Sequence, residues 1–187
     1  MPPKVRITKE DIVKTTVELV REFGAQSINA RAIATAIGCS TQPIFSNFRS
    51  MEELEEATVF AAHKIYLGYL SKESSLNKYP KYKSFGMAYV RFAREERELF
   101  KLLFMCDRKG AEFTPTLDFD ASIEMIMRTN AISREKAERM HLEMWTCVHG
   151  IGTMLATSFL SLEWDLISDI LSDIYQGVRA RHLLEET

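Results

Sequence analysis

The sequence predicts an all-α fold in two parts: an N-terminal three-helix domain with a helix-turn-helix, residues 1–50, and a bundle of about six helices, residues 51–187. Three observations lead there. Apolar residues recur at helical spacing along most of the chain, with no sustained alternation of β-branched residues and no internal repeat. Caps and glycine stops divide residues 8–50 into short segments. Charge divides near the same place, with +3 on residues 1–50 and −5 on the remainder of a chain of formal net charge −2. With 46% apolar residues among 187, there is enough to bury for an ordinary core.

Thr8 caps the first helix with Asp11 as its capping-box acid, and Ile12, Thr16, Leu19, Val20 and Phe23 follow along one face until Gly24 stops it. Asn29 caps a short second helix that runs to about Ile37 and ends at Gly38. Ser40 is expected to cap the third, which holds Thr41 to Asn47 and ends near Phe48. Ser50 opens a long fourth helix, with Glu52 and Glu53 on its positive N-terminal dipole and an apolar face of Leu54, Ala57, Ala61, Ile65 and Tyr69. It is expected to end near Ser71, and the polar stretch Ser71 to Tyr82, with Pro80, reads as the longest loop of the first half. Further helices are expected over roughly 84–94, 95–107, 118–129, 133–160 and 162–183, with a loop around Gly110 to Pro115.

The segment 29–48 carries the strongest functional signal. Ile33, Ile37, Cys39, Ile44 and Phe48 stand where two short helices pack together, Ala34 is small where they cross, and Gly38 supplies a left-handed turn. This is the spacing of a DNA-binding helix-turn-helix. Its second helix exposes Thr41, Gln42, Pro43, Ser46 and Asn47, short or polar groups suited to base edges and phosphates in a major groove. Pro43 falls in the first turn, where a missing N–H has no helical partner to lose. A basic head on an acidic body suits a reader of a polyanion. Lys4, Arg6 and Lys9 read either as an arm near the DNA backbone or minor groove, or as a solvated tail.

These residues resemble the TetR/AcrR family of bacterial regulators. The resemblance rests on Phe23-Gly24, on residues 29–34 (Asn-Ala-Arg-Ala-Ile-Ala), on 37–40 (Ile-Gly-Cys-Ser), on 43–48 (Pro-Ile-Phe-Ser-Asn-Phe), and on 50–54 (Ser-Met-Glu-Glu-Leu). It covers about residues 8–60. The resemblance implies that Asn29 holds phosphate, that Arg31 reaches phosphate or a base, and that Thr41, Gln42, Pro43, Phe45, Ser46 and Asn47 line the DNA. Phe45, Asn47 and Met51 stand where the family commonly has Tyr, His and Lys, each swap removing a phosphate contact, and Arg49 is a candidate to replace the lost charge.

In the body, Trp164, Ile167, Leu171, Ile174 and Val178 are spaced 3, 4, 3, 4, a narrow seam of the kind presented to a partner helix. Met144, Val148, Ile151, Leu155 and Phe159 form a stripe in the preceding helix, interrupted by Gly150 and Gly152, which suggest a close backbone approach. Val148, Ile151 and Leu155 with the seam are therefore the expected dimer interface, the alternative being that both stripes close the core of one chain. The stretch 144–150 (Met-Trp-Thr-Cys-Val-His-Gly) and 98–104 (Glu-Leu-Phe-Lys-Leu-Leu-Phe) loosely resemble the effector domain of one TetR subgroup. Trp145 and His149 share a face at i, i+4, and with Phe104, Met105 and Met144 they form a candidate effector pocket or a stretch of core. Met87, Met105, Met125, Met127, Met140, Met144 and Met154 fall inside the body and suit a deformable apolar pocket or simple gap filling.

No catalytic residue, metal or cofactor is expected. His63, His141, His149 and His182 are scattered, Cys147 and His149 diverge on a helix, and there is no glycine-rich phosphate loop or nucleophile elbow. The pairs Glu52-Glu53, Glu95-Glu96 and Glu185-Glu186 read as solvated helix ends, and Cys39, Cys106 and Cys147 as reduced core residues. No run approaches the ~20 apolar residues of a membrane span, and the start Met1-Pro2-Pro3-Lys4 lacks a secretory stretch, so the expectation is a cytoplasmic protein without a membrane partner. The sequence thus predicts a regulator, by analogy with the resembled family a repressor. It would bind a pseudo-palindromic double-stranded DNA operator as a homodimer and be released by a small, largely apolar effector. Its rivals are an all-helical interaction or structural dimer without DNA binding and a small helical enzyme.

Overall fold

The computed structural model describes residues 7–106 and 119–184. Among these the chain has no strand, in keeping with the all-α class. Its helices are α1 (Lys9–Phe23), α2 (Ala30–Ile37), α3 (Gln42–Asn47), α4 (Met51–Ser75), α5 (Lys81–Glu95), α6 (Arg97–Phe104), α7 (Phe119–Asn130), α8 (Arg134–Ala156) and α9 (Trp164–Leu184). A 3₁₀ turn (Ala25–Ser27) joins α1 to α2. Lys4, Arg6, the loop expected at Gly110 to Pro115, Asp118 and Glu185-Glu186 lie outside the described residues.

The helices fall into two compact units. One holds α1, α2, α3, α4 as far as Ile65, and α6; the other holds α4 from Tyr66 and α5, α7, α8 and α9. Packing thus divides inside α4, whereas the division of labour expected from sequence falls at residue 50. This sharing explains the burial along α4. Leu54, Thr58, Ala62 and Tyr66, spaced by four, are sealed along one stripe that passes from the first unit into the second, with Val59 and His63 buried beside it.

The first unit is built on a cluster of Ile12, Ile33, Ala34, Ile44, Phe48 and Leu54, with Ile37 and Cys39 packed at its edge. The Thr8–Asp11 capping box closes α1, and Asn29 Oδ1 accepts from Ala32 N at 2.9 Å to cap α2. Gly38, at φ 79° and ψ 37°, turns the chain in the left-handed region that a side chain disfavours. The cap of α3 is Thr41 rather than Ser40, and its side chain makes no capping bond. On α1 the buried face is Ile12, Thr16, Val17 and Val20, while Phe23, in the last turn, is 53% exposed. Arg21 on α1 makes a bidentate pair with Glu96, both contacts at 2.8 Å. Glu95 accepts from Tyr69 at 3.0 Å, so the Glu95-Glu96 pair is engaged rather than merely solvated.

In the second unit α8 packs against α5, α7 and α9. Ile123, Ile126, Ile132, Ala137 and Met140 form one cluster there, with Val178 and Tyr175 of α9 against it. Gly86 of α5 marks the closest packing, since a Cβ placed there would stand 3.4 Å from Val148 and 3.6 Å from Leu171. Gly150 makes no such approach within the chain. α4 continues one turn past the expected end because Glu73, buried, is held by Arg91 of α5 at 2.9 Å. Pro80, whose carbonyl accepts from Ser84 N at 2.9 Å, stands at the entry of α5 instead of inside a long loop. α8 stops at Ala156, before Phe159, because Ser158 takes φ 58° and Phe159 N bonds back to Met154 O.

The seam expected to face a partner is partly core of the chain itself. Ile167 and Leu171 of α9, and Val148, Ile151 and Leu155 of α8, are all at most 7% exposed. Trp164, Ile174 and Val178 are half-buried, with Arg91 lying 4.2 Å from the Trp164 ring centroid. The 3, 4 spacing is real, but a helix packed against both α8 and α5 uses that stripe for its own chain. Of the cysteines, Cys39 and Cys147 are half-buried, while Cys106 is exposed, against its reading as a core residue.

Candidate functional site

The head presents its candidate DNA-facing residues from two helix starts. Asn29 and Arg31 open α2, and both are exposed. Arg31 has no ion pair among the described residues. Thr41, Gln42 and Pro43 open α3; Gln42 is exposed with its amide unbonded among the described residues, and Thr41 and Pro43 are half-buried. Phe45 is 56% exposed, an apolar ring presented outward from a helix whose inner face is sealed by Ile44. Ser46 is exposed, its hydroxyl donating to Gln42 O at 2.9 Å. Asn47 is tied inward, since Nδ2 donates to Pro43 O at 2.8 Å and Ile7 O at 3.5 Å, so its amide is not a free donor for a phosphate.

Charge around the head is held by Glu53. Its carboxylate accepts from Lys9 Nζ at 2.8 Å and from Arg49 N and Nε at 2.7 and 3.2 Å. Lys9 first, then the Arg49 backbone, push the Glu53 carboxyl down to about 2. Arg49 is nonetheless 92% exposed at its side chain. Both cations therefore share one internal anion that a phosphate would have to replace.

The second unit encloses a cavity of about 630 Å³, within the ~300–1,000 Å³ usual for small-molecule sites. Four tyrosines, Tyr66, Tyr82, Tyr89 and Tyr175, contribute to its wall, with Met125, Met144 and Trp145 among the larger apolar groups. Burial raises the Tyr66, Tyr82 and Tyr89 hydroxyls, which stay protonated. Tyr82 shares a hydrogen bond with His141 Nδ1 at 2.9 Å, and burial lowers His141, so the ring is neutral near pH 7. Among the described residues Ser74 Oγ, His141 Nε2 and Trp145 Nε1 are buried without a hydrogen-bond partner, although all three residues line the cavity.

Of the expected effector residues, Met144 and Trp145 line this cavity. His149 does not; it stacks on Trp145 with centroids 5.1 Å apart and planes at 22°, and its Nδ1 shares a hydrogen bond with Tyr89 at 2.8 Å. The alternatives of pocket and core therefore divide between the two residues of one face. Phe104 and Met105 belong to the first unit and do not line it. Sequence reasoning missed α5, which supplies Lys83 and Gly86 as well as Tyr82 and Tyr89. The spacing of Tyr82, Phe85 and Tyr89, an aromatic stripe at 3 and 4, was the signal available.

Among the described residues there is no cluster of three or more His, Cys, Asp or Glu placed to hold a metal, and no helix is long and apolar enough to cross a membrane. No protein-family model matches the chain, and no curated protein matches its sequence. Its fold does match solved structures. The multidrug binding protein EbrR, in complex with imidazole, superposes with a TM-score of 0.63 at 10% identity, over 89% of this chain and 93% of EbrR. A proposed transcriptional regulator from Pseudomonas aeruginosa PAO1 gives 0.66 at 11% identity, over 92% of this chain and 90% of that one. The chain thus has the all-helical fold of these proteins.

Proposed function

We propose that this chain is a ligand-responsive transcriptional regulator, with a DNA-reading head in residues 1–50 and an effector-binding, dimerising body in residues 51–187. The observation that carries the reading is the outward set Arg31, Thr41, Gln42 and Ser46 at the starts of α2 and α3, mounted on a sealed core. Polar groups at the N-terminus of a short, rigid second helix suit contact with base edges, and the start of the preceding helix suits phosphate. Two structural relatives described as a multidrug binding protein and a proposed transcriptional regulator support it. The cavity in the second unit supplies a place for the effector.

In this reading the protein is a cytoplasmic homodimer and a repressor, whose effector favours an arrangement of the two heads that no longer matches successive major grooves, ~34–36 Å apart. The experiment is selection of bound duplexes from a random pool, followed by titration of the recovered site and of unrelated DNA at several salt concentrations. Recovery of a site with dyad symmetry, bound less tightly as salt rises, is expected. Failure to enrich any site, with no salt-dependent binding, would leave the head as an ordinary helical corner.

A further inference from the structure

The charges around the cavity select among apolar ligands, an inference that rests on reading the cavity as the effector site. Among the described residues no Asp or Glu contributes to its wall, whereas Lys81 and Lys83 both do. Lys83 is half-buried, and its Nζ donates to Ser168 Oγ and Ser172 Oγ, each at 2.7 Å. It also lies 5.0 Å from the Tyr79 ring centroid. All of these partners are neutral. An ammonium has three donors, so two serine bonds leave one N–H to give, and among the described residues no carboxylate pairs with the charge. Ser172 is itself part of the wall, which places this polar spot on the cavity.

Nearby acids do not fill the role. Glu73 adjoins the lining residue Ser74 but is held by Arg91 at 2.9 Å. A cationic ligand would enter a wall with no carboxylate and with lysines of its own sign, while a neutral one would leave Lys83 without a counter-ion.

We propose that the cavity binds an amphiphilic monoanion, an apolar body bearing one carboxylate, with the carboxylate on Lys83 and Ser172 and the body against Met125, Met144 and Trp145. Calorimetric titration of the full chain with decanoate and decylammonium below their micelle concentrations, and with decan-1-ol below its solubility limit, tests this. Decanoate is expected to bind at least about tenfold more tightly than either other probe. In Lys83→Met that preference should vanish, and in Lys83→Arg it should persist. If Lys83→Met does not fold, the ranking of the three probes on the unmodified protein still decides. Equal binding, or preference for the alcohol or the ammonium, overturns the carboxylate assignment and leaves the effector site standing. Binding of none of the three overturns the effector reading itself and this inference with it.

Discussion

Gln42 and Arg31 are both exposed and free of internal partners among the described residues, yet their chemistry divides the work between them. In the proposed reading Gln42, at the first position of α3, would pair bidentately with adenine, and Arg31, near the start of α2, would contact the sugar-phosphate backbone. Gln42→Ala is expected to cost on the order of 1–3 kcal/mol at one base pair and relax preference there. Arg31→Ala should weaken all sequences alike and flatten the salt dependence by about one counterion. Binding to a panel of operator variants at two salt concentrations checks both, and the opposite pattern would reverse reader and anchor. Glu53 gives a third test. It holds Lys9 and Arg49 in the free head, so Glu53→Gln should release both cations and tighten binding to unrelated DNA, with a steeper salt slope. Unchanged non-specific affinity in that variant would mean that neither cation approaches phosphate.

Along α8 two imidazoles, His141 and His149, are kept below the ordinary value of 6.5 by burial, each sharing Nδ1 with a tyrosine hydroxyl. The unfolded chain takes up protons near pH 6.5 that the folded chain refuses, so this stability is fully present above that pH. It declines as pH falls, until the folded rings titrate in their turn. Melting temperature should therefore drop between about pH 7.5 and 5.5, and His141→Gln or His149→Gln should flatten the drop; equal slopes in all three proteins would remove the histidines from the account. The elements best read from sequence were those with local signals: Thr8 and Asn29 cap the helices they were expected to cap, and Gly38 turns where expected. On α4 the expected Ala57, Ala61 and Ile65 are half-buried, while the sealed stripe lies one residue on, at Thr58, Ala62 and Tyr66, where a polar threonine and a small alanine gave no apolar signal. The cavity was half legible: Met144 and Trp145 are neighbours on one helix, but Lys83 and the α5 tyrosines come from another helix, and only tertiary packing brings them together.

Reading a palindromic site requires two heads, so the oligomeric state belongs to the whole molecule and to the proposal together. The narrow seam of α9 suggested a partner from spacing alone, but spacing does not say whether the stripe packs on its own chain or on another, and Ile167 and Leu171 pack on their own. What α8 and α9 leave outward is a different set. Leu142 is 60% exposed and Leu166 48%, Ile170 is half-buried, and at Gly150 and Gly177 nothing lies within 4 Å of where a Cβ would stand. Small residues beside exposed leucines let a second pair of helices approach closely, which favours these positions for a copy of the chain. Leu142→Glu with Ile170→Glu should give a monomer by light scattering with its helical circular dichroism intact. Leu171→Glu should instead unfold the second unit, because an unpaired charge buried there opposes a total stability of about 5–15 kcal/mol. If the unmodified chain is already a monomer at micromolar concentration, the two-headed mechanism falls. If the double variant remains a dimer, the mechanism stands and its interface lies elsewhere.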